Sequence, residues 1–206
     1  MNDKPAKNLS ATNRSRIHWI TKTGILTAVA VALMYLEFNI PLMPAFLKFD
    51  FSEIAVLLAS FSMGPLTGIL VELLKNLLHL PVTQTGGVGE LANFIVGSSF
   101  VGTAGLIYRF MKSRKGAYLG MGAGIVVMTV IASLMNYFVM IPFYINLFGI
   151  DMQTIVGWCA AVGNNLVVDL PTLIVFVFVP FNLFKGIVVS AIVGLVYKRL
   201  SKLLHR

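Results

Sequence analysis

Apolar runs near twenty residues recur along this chain, and that is the length a helix needs to cross the hydrocarbon core of a bilayer. The runs are continuous, as in GILTAVAVALMYL and LANFIVGSSFVGTAGLIYRFM. They do not alternate with polar residues, which argues against a transmembrane barrel. Inside a bilayer the backbone finds no water, so helices must satisfy their own N–H and C=O groups. A soluble domain of 206 residues cannot bury a sequence that is 57% hydrophobic and 12% charged. The mean hydropathy of +0.86 agrees. The expected fold class is therefore an all-α integral membrane protein, multi-pass and seated in the cell membrane and its lipid bilayer.

The distribution of the +8 net charge sets the topology. Thirteen of the sixteen basic residues fall in three clusters: Lys4, Lys7, Arg14, Arg16 and Lys22; Arg109, Lys112, Arg114 and Lys115; and Lys198, Arg199, Lys202 and Arg206. Short basic segments beside membrane helices mark the cytoplasmic side. No soluble domain is left to present this charge to nucleic acid, so a nucleic-acid partner is not expected. A single cysteine, Cys159, allows neither an internal disulfide nor a thiolate metal site. The polar amino terminus is not a signal peptide, and the apolar run after it is expected to be retained.

Residues 1–19 read as a polar cytoplasmic segment and 20–206 as one membrane domain. Helices are expected from about Ile20 to Glu37, Phe51 to Ser62, Leu66 to Leu80, Leu91 to Met111, Ala117 to Ile141 and Phe181 to Leu200. Six transmembrane helices with structured outer loops put both termini and the Arg109–Lys115 connection in the cytoplasm. A seventh span through 151–179 would place KRLSKLLHR outside, against the charge rule. Asn164, Asn165, Asp169 and Pro171 also interrupt that stretch. It is expected to form a short helix plus irregular backbone on the outer side. Glu37, Asp50, Glu53, Glu90 and Asp151 then fall in or beside outward connections, so a binding site should face out.

Small residues mark close helix approach. Ala28 and Ala32 are four apart, with Gly24 a turn earlier; Gly64 and Gly68, Gly116, Gly120 and Gly124, and Gly186, Ser190 and Gly194 form similar rows. Each row serves either packing within the chain or, less commonly, docking to another protein. Glu72, Lys75, Asn76 and His79 share one face of the third helix by spacing. They read either as a structural ion pair or as a transport path, since ionisable residues at membrane depth are functional candidates. Glu90 and Asn93 open the fourth helix, Asn136 lies in the outer half of the fifth, and Asn182 and Lys185 share a face near the outer end of the last. Lys185 has no acid near it in sequence. It needs a partner, a bound solute, or a path by which it snorkels to water. With Phe46 and Phe49 to cover them, these groups suit a flat, partly polar small molecule.

No GxxxxGK[ST], HExxH or GxSxG occurs, and His18, His79 and His205 are scattered, so ATP hydrolysis, metal or enzymatic chemistry has little support. No inverted repeat supports a carrier acting alone. The runs IPLMPAFLKFDFSEIAVLLASFSMGPLTGILVELLKNLLHL, TGGVGELANFIVG and PFNLFKG resemble the riboflavin-specific substrate-binding subunits of energy-coupling factor (ECF) transporters, over essentially all of the chain after its polar start. The resemblance implies a six-helix protein that captures riboflavin from outside. Its partners would be a coupling membrane subunit and two cytoplasmic ATPase subunits, which spend the ATP; riboflavin is cargo and no cofactor is implied. It also implies docking through Ala28 and Ala32, and a pocket carrying Leu47, Lys48, Phe49 and Asp50, then Glu90 and Asn93, Asn136, and Asn182 and Lys185. Another vitamin, such as thiamine or a biotin-like acid, and a proton-coupled carrier using Glu72, Lys75 and His79, are the alternatives.

Overall fold

The computed structural model describes residues 6–44 and 46–204, with side chains over 13–44 and 46–196. Lys4, Lys7 and the carboxyl-terminal cluster Lys198, Arg199, Lys202 and Arg206 therefore lie outside the described side chains. Among the described residues the chain is helical apart from its connections and one small ribbon. Helices α1 (Ala6–Tyr35), α2 (Ser52–Met63), α3 (Pro65–His79), α4 (Val88–Phe110) and α5 (Arg114–Met135) follow in order. Short helices α6 (Ile141–Phe148), α7 (Met152–Ala161) and α8 (Leu170–Leu173) come next, and α9 (Val179–Leu204) closes the bundle. Strands β1 (Phe38–Asn39) and β2 (Lys48–Phe49) pair antiparallel, Phe38 opposite Phe49, and fold the first connection back on itself.

Local chemistry explains the breaks. Gly64, at φ +102°, turns the chain between α2 and α3, and Pro65 opens α3 where its missing N–H costs nothing. The Ser113 hydroxyl caps α5 by accepting from the Gly116 N–H. Asp169 and Thr172 form a capping box at α8, with Pro171 in the first turn.

Two of the expected boundaries are displaced, and prolines account for both. The last helix does not begin near Phe181. It starts at Leu170 and runs through a π segment, Ile174–Phe178, straight into α9. The fifth does not end near Ile141: it passes through a second π segment, Asn136–Met140, into α6 and runs on to Phe148. Each π segment ends two residues before a proline, Pro142 or Pro180. A proline inside a helix removes an N–H and crowds the carbonyl a turn back, and the wider turn absorbs both. The polar start also behaves differently, since α1 is helical from Ala6 rather than from Ile20. Of the stretch 151–179, expected as a short helix plus irregular backbone, only 151–169 has that form, with α7 and irregular chain. From Leu170 onward it is helical and belongs to the last helix, because the Asp169 capping box and Pro171 start a helix there rather than interrupt one.

Among the described residues, four helical rods are long and apolar enough to cross a membrane: Asn13–Tyr35, Val88–Phe110, Arg114–Phe148 and Leu170–Val196. At about 1.5 Å per residue, α2 reaches about 18 Å and α3 about 22 Å, short of the ~30 Å hydrocarbon core.

The glycine rows are mostly spent inside the bundle. A Cβ on Gly120 would meet the Ala104 carbonyl at 2.6 Å, and one on Gly124 the Phe100 carbonyl at 2.8 Å, so α4 and α5 touch backbone to backbone. Two apolar clusters result. One joins Val56, Leu57, Phe100, Val101, Met121 and Val189 toward the end carrying the Arg109–Lys115 connection. The other joins Leu47, Phe49, Ile155, Cys159, Phe178 and Phe181 at the opposite end.

Candidate ligand-binding site

Between those clusters lies a cavity of about 490 Å³, open at the end away from the basic connection. Pockets for drug-sized ligands run from about 300 to 1,000 Å³. A smaller cleft of about 210 Å³, at the basic end beside Phe61, Tyr118 and Met121, is largely apolar apart from Arg114.

Leu47, Lys48, Asp50, Glu90, Asn93, Asn136, Asn182 and Lys185 all line the large cavity. Residues spread over nearly 140 positions of sequence thus meet around one space, because the first connection folds over the ends of α4, α5 and α9. Phe49 does not reach the cavity. It is buried behind the wall, its ring 5.4 Å from Phe38 and 5.1 Å from Phe51. There it anchors the ribbon that carries Lys48.

Lys185 finds its acid in Asp50. Their side chains meet at 2.8 Å, 135 residues apart in sequence and almost wholly buried. Asp50 also accepts from the Ser52 backbone N–H at 2.8 Å and from the Ser52 hydroxyl. Burial pushes the Asp50 carboxyl up, but Lys185 and then Lys75 outweigh it and hold it well below the usual carboxylate range. Lys185 therefore presents its remaining N–H donors from a fixed position, and it does not snorkel.

Asn182 and Asn136 are fixed by the same device. Each donates its amide N–H to the carbonyl one turn back, Asn182 to Phe178 at 2.8 Å and Asn136 to Ala132 at 2.8 Å. One of the two N–H donors is spent on the backbone, which orients the amide and leaves its oxygen and second N–H for a ligand. Glu90 is gripped by His79 Nδ1 at 3.1 Å and by the hydroxyls of Thr83 at 2.8 Å and Thr85 at 3.2 Å. The cap of α4 is Gly87. At the mouth, Lys48 pairs with Glu37 and reaches Gln84 at 3.3 Å.

The Glu72, Lys75, Asn76, His79 stripe joins helices. Lys75 is fully buried and donates to Ser52 at 2.8 Å, to Glu53 at 2.6 Å and to Glu72 at 2.9 Å. Asn76 donates to Glu72 at 3.0 Å. All three Lys75 protons are spent between α2 and α3, as a structural ion pair requires.

Sequence reasoning missed several wall residues: Met34, Glu53, Met128, Tyr144, Trp158 and Phe178. Glu53 was visible as an outward acid. Trp158 was visible only as part of an outer helix of unknown aim. The methionines sit inside long apolar runs, where nothing separates a cavity wall from ordinary packing.

A helical membrane protein with a large, partly polar cavity open at one end is suited to hold a small solute. The profile for the substrate-specific component of ECF transporters matches residues 18–197, and this chain belongs to that family. It is thus a transport component and not an enzyme. It is 39% identical over 183 residues to the riboflavin transporter RibU of Staphylococcus aureus, covering 89% of this chain and 90% of that one. It is 30% identical over 189 residues to the riboflavin transporter FmnP of Bacillus subtilis, covering 90% and 93%. The solved S component of a bacterial ECF transporter superposes with a TM-score of 0.72 at 34% identity, over 93% of this chain and 99% of that structure.

Proposed function

We propose that this chain is a riboflavin-binding component of an ECF-type uptake transporter. It captures the vitamin at the outer face of the cell membrane for import driven by partner subunits. The observation that carries this is the mainly apolar cavity of about 490 Å³, on whose wall the polar groups of Asn136, Asn182, Lys185 and Glu90 converge. Riboflavin is a planar ring with a polyhydroxyl tail. The amide oxygens of Asn136 and Asn182 suit its N–H and O–H groups, and the Lys185 ammonium suits its ring carbonyls. Two relatives named as riboflavin transporters, each matched over most of its length, support the same ligand.

The topology that accompanies this reading has six spans, with α2 and α3 counted as short spans completed by their neighbours. Residues 1–19 and the carboxyl end lie in the cytoplasm and the cavity mouth lies outside. The partners are a coupling membrane subunit, docked on Ala28 and Ala32, and two ATPase subunits. Purified protein titrated with riboflavin tests the ligand directly. Tight, saturable binding with a flavin absorption band retained through purification is expected, with thiamine and biotin failing to compete. Absence of riboflavin binding by folded protein overturns the proposal.

A further inference from the structure

The two long walls of the cavity differ in chemistry. The wall contributed by α3, the turn after it and α4 carries the polar side chains of His79, Gln84, Thr85, Glu90 and Asn93, set among Val82, Ala92 and Val96. The wall contributed by α7 and the approach to α9 is apolar and aromatic, with Ile155, Trp158, Phe178 and Phe181. Trp158 is placed by its own helix. Ile155 and Cys159, three residues before it and one after, are buried in the neighbouring apolar cluster and hold α7 in place. Trp158 remains 42% exposed and borders the cavity. Its ring lies 6.1 Å from that of Phe46 in the first connection, and Phe46 is in turn 6.1 Å from Phe178. Three elements distant in sequence thus supply a continuous aromatic surface along one side of the site. Phe178, Asn182 and Lys185 follow at i, i+4 and i+7 on one helix face, so that surface runs directly into the polar groups.

We propose that Trp158 is a specificity-determining residue, stacking on the face of the ligand's planar heterocycle while Asn182 and Lys185 engage its polar edge. A tryptophan offers a broad π face at small entropic cost, and stacking on it rewards flat conjugated rings over puckered or acyclic solutes. The inference rests on the riboflavin reading above and deepens it.

Fluorotryptophan labelling tests it in the intact protein. Only Trp19 and Trp158 carry label, and a Trp19→Phe variant assigns them. Trp19 lies near the basic end, bonded to Thr67 at 3.1 Å. Saturating riboflavin is expected to shift the Trp158 fluorine resonance and leave Trp19 unmoved. Trp158→Leu is expected to weaken riboflavin and tail-less lumiflavin alike, by about fivefold or more, and to remove any long-wavelength shoulder from the bound flavin spectrum. Trp158→Phe should recover most of the affinity. Riboflavin binding with no Trp158 shift, or with unchanged affinity and spectrum in Trp158→Leu, overturns the stacking role alone. Failure of the unchanged protein to bind riboflavin overturns the underlying reading instead.

Discussion

At the scale of single residues, the site is a set of polar groups whose orientations are fixed before any ligand arrives. The Asp50–Lys185 pair is the centre of this arrangement. Removing one member of a buried pair leaves an uncompensated charge and costs about 3–5 kcal/mol, whereas removing both costs far less. Asp50→Asn and Lys185→Met should each lower the melting temperature sharply, and the double variant should recover most of that loss in thermal unfolding. The pH dependence follows from the depressed Asp50 pKa. Its stabilisation is complete above the unfolded carboxyl value near 3.9 and disappears as pH falls through the lower folded value. The stability gap between the unchanged protein and Asp50→Asn is therefore expected to be flat from pH 8 to pH 5 and to close only in stronger acid. Asn136 and Asn182 make a separate prediction. Each offers one oriented amide oxygen, so alanine at either position should weaken riboflavin binding by about 1–3 kcal/mol in a titration, without loss of fold.

At the scale of elements, the glycines decide how closely helices approach. Gly124→Leu drives a side chain into the Phe100 carbonyl and should cost about 1–3 kcal/mol of stability, as overpacked interiors do. Gly122, on the same helix, faces open space, and Gly122→Leu should leave thermal unfolding unchanged. These rows were legible in the sequence, as were the helices, because length and small-residue spacing are local signals. That Asn136, Asn182 and Glu90 lie toward the same end of their helices was legible too, from their distance to the expected helix ends, and all three line the large cavity. The partner of Lys185 was not, because nothing local ties position 185 to position 50. The π segments before Pro142 and Pro180 were not legible either. A proline predicts a disturbance, but whether a helix ends there or widens is decided by the packing around it. That uncertainty put the start of the last helix near Phe181 and hid the continuity from Phe178 to Lys185.

At the scale of the whole molecule, one small-residue row stands apart. The rows on α3, α5 and α9 abut Ser60, the α4 backbone and Ile125 within the bundle. The row on α1 does not: Ala28 and Ala32 are exposed, and no heavy atom approaches the Cβ position of Gly24. Ile25 and Val29 flank it, also exposed, so the face is smooth and apolar over two turns. It also stands off the cavity, whose α1 contributions are Met34 and, just beyond the helix end, Glu37. A surface that packs nothing inside the chain and touches no ligand is free to take a partner helix at short range, which bulk at Ala28 or Ala32 forbids. Ala28→Leu and Ala32→Leu should therefore keep riboflavin affinity within about twofold, since a surface substitution away from the site stays within about 0.5 kcal/mol. Riboflavin uptake by vesicles that also hold the coupling and ATPase subunits should be lost, and so should co-purification with them. Uptake at the unchanged rate in both variants would mean that the partner engages a different face and that the α1 row meets only lipid.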